Sequence, residues 1–121
     1  MIMKIKTHTL KDTNIAEIIS DDEIIKTSDD GLDLLGNLYY QGFDKIIIYE
    51  KNITSAFFDL KTGIAGEILQ KFSTYRVRLV IVGDFSRYQS KSLKDFIFES
   101  NKMGQIYFLP SLNEVLEKFS K

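Results

Sequence analysis

The stretch "RVRLVIVGD", residues 76–84, decides the fold. Arg76 and Arg78 alternate with apolar neighbours, then Leu79, Val80, Ile81 and Val82 run without a polar break until Gly83 and Asp84 close the segment. A strand with one wet face alternates, whereas a strand covered on both faces is apolar throughout. Residues 79–82 therefore read as a central strand of a parallel sheet. "KIIIYE" (45–50) and "QIYFL" (105–109) have the same continuous character, and segments of helical spacing separate the three.

Those spacings predict four helices. In "SDDGLDLLGNLYYQG" (28–42), Ser28 is the expected N-cap, Asp29 and Asp30 suit the positive helix end, Leu32, Leu35, Leu38 and Tyr39 share a face, and Gly42 is the stop. In "AFFDLKTGIAGEILQKF" (56–72) a strand-like aromatic pair leads into a helix expected over 62–75, with Ile64, Ile68, Phe72 and Tyr75 inward and Gly66 opposite them. The third helix, 91–103, takes Ser90 or Ser92 as cap and Gly104 as stop, and buries Leu93, Phe96, Ile97 and Met103. Rotation by about 100° per residue turns Phe98 away from that stripe. A capping box from Ser111 to Glu114 opens the last helix, whose stripe is Leu112, Val115, Leu116 and Phe119.

At the other end, "IKTHTL" and "IAEIIS" read as two strands joined at Lys11, Asp12, Thr13 and Asn14, an antiparallel hairpin. The expected order is ββαβαβαβα: one α/β domain over residues 1–121, with a mostly parallel sheet and an antiparallel N-terminal strand. Right-handed crossovers gather the carboxyl ends of the parallel strands on one edge.

Composition narrows the function. The 121 residues contain no Cys and a single His, His8, which removes thiolate chemistry and histidine-rich metal sites. Sixteen Lys or Arg against seventeen Asp or Glu leave no broad field for nucleic acid or an anionic membrane. The longest apolar runs, such as "LVIV", fall far short of the ~20 residues of a spanning helix. A soluble, cytoplasmic protein with no membrane partner, no nucleic acid and no cofactor is expected. Arg76, Arg78 and Arg87 beside Tyr75 and Tyr88 are read as residues framing a buried strand, and His8 as a surface or interface residue.

The string "FFDLKTGIAGEILQKF", followed by "VRLVIVGDFS", "SKSLKDFIFESNKMG" and "IYFLPS", resembles a bacterial domain-of-unknown-function family, the one numbered 4180. That resemblance implies a fold and carries no activity. The element order is also similar to that of the sulfate-transporter and anti-sigma-factor-antagonist domains (STAS, SpoIIAA-like), small modules that bind a partner kinase or anti-sigma factor. By that resemblance Asp59 matches the family's loop Asp, Thr62 its phosphorylated Ser, and Gly63 with Ile64 its Gly-Leu. Leu60 and Lys61 make the spacing one residue longer.

Three groups of residues are candidates for work. Asp59, Thr62, Gly63 and Gly66 would leave the amide groups of a helix N-terminus reachable by an anion or a partner, or would simply cap and pack that helix. Asp21, Asp22 and Asp84 end strands at the acidic sheet edge, in the manner of a phosphoacceptor receiver, although the chain lacks that fold's fifth βα unit and its Lys; no metal site is expected there. Tyr88, Phe98 and Glu99, with Asp95 and Lys102, form an anchor-and-rim composition suited to a partner or a homodimer. Asp59, Glu67 and Glu99 form no recognisable acid–base pair, and the glycines fall in no phosphate-binding fingerprint. The leading expectation is a non-enzymatic interaction or regulatory module. The alternative is an enzyme or sensor using Asp21, Asp22, Asp59 or Asp84 to bind a metal or small molecule.

Overall fold

The three apolar runs become adjacent strands of a five-stranded sheet, the last of them at its edge. The computed structural model describes residues 3–121. Strands β1 (Lys4–Leu10) and β2 (Thr13–Ile19) form the antiparallel hairpin, and β3 (Lys45–Tyr49), β4 (Arg78–Val82) and β5 (Ile106–Leu109) follow in parallel, in the spatial order β1-β2-β3-β4-β5. The hairpin loop is tighter than expected: Leu10 pairs with Thr13, so only Lys11 and Asp12 turn, with Lys11 at φ 53°. Thr13 and Asn14 belong to the strand.

Helices α1 (Ser28–Tyr40), α2 (Ile64–Tyr75) and α3 (Lys91–Met103) share one face of the sheet with Ile18, Ile46, Ile48, Leu79 and Ile81. Helix α4 (Leu112–Phe119) lies on the opposite face, where Val115 packs with Ile15, Ile47, Val80, Val82 and Tyr107. The alternation of Ile46/Ile48 against Ile47, and of Leu79/Ile81 against Val80/Val82, explains why both strands are apolar after their first residues, Lys45 and Arg78. Among the described residues, no helix is long and apolar enough to cross a membrane.

Several helix details differ from the expectation. Thr27, not Ser28, caps α1: its hydroxyl accepts from Asp30 N at 3.2 Å while Asp30 Oδ2 accepts from Thr27 N, a reciprocal box with Asp in the place of Glu. Leu34, Leu35 and Leu38 are its buried leucines, and Tyr39, expected inward, is 52% exposed. Tyr75 is likewise turned out, at 48%, and packs edge-on against Tyr39 with ring centroids 5.8 Å apart. Both stand in the last turn of their helices, where a large ring reaches past the sheet. Met103, in the final turn of α3, is 62% exposed for the same reason. Ser90 caps α3 by accepting from Leu93 N, and Ser111 accepts from Glu114 N, one half of the expected box.

The largest difference lies between β3 and α2. The aromatic pair is no strand: three successive 3₁₀ turns, Glu50–Asn52, Ser55–Phe58 and Leu60–Thr62, fill the connection. Phe57 and Phe58 are both buried, in edge contact at 5.0 Å, and Phe57 also meets Phe108 of β5 at 6.4 Å.

Candidate functional site

The half of the sheet face that α4 leaves free is built from β1, β2 and the end of β3. Its alternate residues include His8, Glu17 and Tyr49. The hairpin register puts His8 opposite Ile15, one diagonal step from Glu17, and β3 brings Tyr49 alongside. Glu17 is 5% exposed and accepts from both neighbours: Oε1 takes His8 Nε2 at 2.8 Å, Oε2 takes the Tyr49 hydroxyl at 2.6 Å. A buried carboxylate is retained only when its oxygens are so satisfied. Burial and the bond to Glu17 push the Tyr49 hydroxyl up to about 12, so it stays protonated. Its one hydrogen is committed to Glu17, which leaves only its lone pairs for anything else.

Above this group lies a cleft of about 590 Å³, lined on its floor by Glu17 and Tyr49 and on its wall by Ile19. Lys4, Lys51, Asp21 and Asp22 form the rim. Lys51 pairs with Asp21 at 3.3 Å. The rim loop is fixed from below by Asn52, fully buried, whose Nδ2 donates to Ser20 O (2.9 Å) and Asp22 O (2.8 Å) while Oδ1 accepts from Tyr49 N (3.3 Å). The floor thus offers hydrogen-bond acceptors and the rim offers both signs of charge. The Tyr49 hydroxyl donates to the carboxylate and not to His8.

The acidic edge is divided. Asp21 and Asp22 join the cleft, but Asp84 turns onto its own loop, where Oδ1 accepts from the Ser86 hydroxyl (2.6 Å) and from Ser86 N (3.1 Å), bonds that hold its carboxyl below the usual range. Among the described residues no three His, Asp or Glu side chains stand close enough to share a metal ion. Beside Asp84, Glu50 receives both Arg87 and the Tyr88 hydroxyl. Gly83 permits this: a Cβ there would stand 2.6 Å from Glu50 Oε1 and 2.7 Å from its Cβ.

The residues around α2 are arranged otherwise than expected. Thr62 does not lie in the first turn of the helix; it ends the preceding 3₁₀ turn, and Gly63, at φ 79°, is the N-cap. The exposed Thr62 side chain donates towards Ala56 O (2.7 Å) and Asp59 O (2.9 Å) and accepts from Ile64 N (3.3 Å). Asp59 caps its own turn through Lys61 N. Gly66 serves no close packing, since a Cβ there would meet nothing within 4 Å. Asp59, Glu67 and Glu99 share no hydrogen bond or ion pair with one another.

Phe98 points outward at 59% exposure, with Lys102 Nζ 4.4 Å from its ring centroid, and Glu99 is exposed beside it. Tyr88 does not join that surface as expected: it stacks on Phe58 at 5.0 Å and bonds inward to Glu50. His8 is half-buried and is a partner of Glu17. The sequence signals for this site were a lone Glu inside the apolar run "IAEII" and a His on the neighbouring hairpin strand. Only the two-residue turn, which sets the register, connects them.

A family model described as a domain of unknown function (DUF4180) matches residues 10–119, a span that holds Glu17, Tyr49 and Asn52 and leaves out Lys4 and His8. No curated protein and no solved structure matches the chain.

Proposed function

The chain belongs to this DUF4180 family, and from that premise we propose that it is a non-enzymatic cytoplasmic regulatory module that binds a small polar ligand in the cleft over Glu17. The observation that carries this reading is the buried Glu17, held in place by one bond from His8 and one from Tyr49, at the floor of a cleft within the size range of small-molecule sites. Its carboxylate and phenol accept hydrogen bonds, which favours a ligand that brings N–H donors. The rim sets Lys4 and Lys51 among Asp21 and Asp22, both signs of charge on one margin, so the class is a small zwitterion such as an α-amino acid. A thermal-shift and NMR titration against the common α-amino acids tests it. At least one should bind, lose about tenfold or more in affinity in Tyr49→Phe, and be recovered unchanged. Turnover of the ligand, or affinity indifferent to Tyr49→Phe, would reject the reading.

The regulatory part rests on the resemblance in element order to STAS-like domains, which act through protein partners. A second reading follows from Phe98, whose exposed ring among Asp95, Glu99 and Lys102 supports docking of a partner or of a second copy on α3. Light scattering should then show a dimer in the wild type and a monomer in Phe98→Asp. A monomer in both leaves α3 without a role in self-association.

A further inference from the structure

At the opposite end of the sheet a second cleft, of about 470 Å³, lies between the hairpin turn, the amino ends of β3 and β4, and α4. Five cations line it, Lys11, Lys45, Arg78, Lys118 and Lys121, against the single carboxylate of Asp12. This concentration stands out in a chain whose formal net charge is -1. Lys45 and Arg78 are register partners at the first positions of β3 and β4.

The floor is built rather than incidental. Lys45 is only 8% exposed, and its Nζ donates to Thr13 Oγ1 at 2.6 Å and to Asp44 Oδ2 at 3.3 Å while standing 5.1 Å from the Phe119 ring centroid. Asp44, the nearby acid, is already occupied by the Thr13 hydroxyl and Lys45. Lys118 lies over the Tyr107 ring at 4.9 Å. Arg78 and Lys11, by contrast, have no side-chain hydrogen bond or ion pair among the described residues. Lys121 is shared with Glu117 at 4.0 Å, which leaves Lys11, Arg78 and Lys118 as the cations without an acid among the described residues; like charges around one recess repel one another, and an anion bound among them removes that cost.

We infer that this basic cleft is a second binding site, for a small oligophosphate-bearing ligand. Several negative charges on one compact group answer several cations around one recess, and the planar guanidinium of Arg78 matches a phosphate with two parallel donors. The basic lining runs only from the hairpin turn to α4, and a patch of this extent suits a small molecule better than a nucleic-acid strand, which needs a continuing basic track.

Isothermal titration with inorganic triphosphate at low ionic strength tests the site. One molecule should bind per chain, the affinity should fall about tenfold in Arg78→Gln and again in Lys118→Gln, and Lys94→Gln on α3 should leave it unchanged. Both substituted side chains in the cleft are exposed, and circular dichroism of each variant confirms that the fold persists. Should a variant unfold, chemical-shift perturbation in the wild type decides, with shifts expected at Lys11, Lys45, Arg78 and Lys118. No binding, an equal loss in Lys94→Gln, shifts elsewhere, or tighter binding of a single-stranded oligonucleotide than of triphosphate would each overturn the inference. Failure of the amino-acid titration at Glu17 would leave this result untouched, since the two clefts share no residue.

Discussion

Asn52→Ala should cost about 3 kcal/mol of folding stability, far more than the truncation of one small side chain implies. Its amide holds three backbone groups at once, Ser20 O, Asp22 O and Tyr49 N, from a fully buried position. Each such bond contributes about 1 kcal/mol net, and each buried group left without a partner costs about as much again or more. The damage should be local before it is global: amide exchange ought to quicken first in the segment 20–25. Urea unfolding gives the magnitude. A loss below about 1 kcal/mol would mean that water replaces the side chain at no cost, and that Asn52 does not hold the rim of the cleft.

Phe57→Ala should be at least as damaging, by about 3–5 kcal/mol, the usual cost of emptying a ring-sized space in a packed core. Phe57 has no exposed surface and stands between Phe58 and Phe108, so it ties the 3₁₀ connection after β3 to the far strand β5. Phe98→Ala is the natural comparison: the ring is exposed, and its removal should change monomer stability by no more than about 0.5 kcal/mol. Equal effects from the two substitutions would contradict the burial on which the expectation rests.

How much of this was legible in the chain depends on the range of the interaction involved. The inner strands declared themselves because burial on two faces leaves an unbroken apolar run. Phe98 was placed outward correctly because α3 keeps one helical period along its length. The connection 50–62 was not legible, because short 3₁₀ turns have neither period and their buried rings resemble a strand. The helix ends misled for a related reason: Tyr39, Tyr75 and Met103 keep the helical phase but stand where the layer beneath them has ended. The Glu17 site was hidden by distance, since Tyr49 is 32 residues away, and the alternation that places both on one face is invisible in strands apolar on both sides. The acidic edge was legible only as composition. Which carboxylates meet was decided by loop bonds, with the Asp84 side chain satisfied locally by Ser86 and the backbone carbonyl of Asp22 held by Asn52.

The uninterrupted strand order β1 to β5 also bears on how the chain assembles during its synthesis. Every strand pairs with the one made just before it, so the sheet grows outward at a single edge and no late segment must be threaded between two earlier ones. Loop closure is short at each step, and each crossover helix can settle as soon as its strand docks. The opposite face is different. Ile15, Ile47, Val80 and Val82 remain bare until α4 arrives after β5, so a nascent chain carries a sticky apolar surface through most of translation. A released chain truncated just before residue 112 should therefore form a sheet that is nearly complete and yet prone to capture by chaperones.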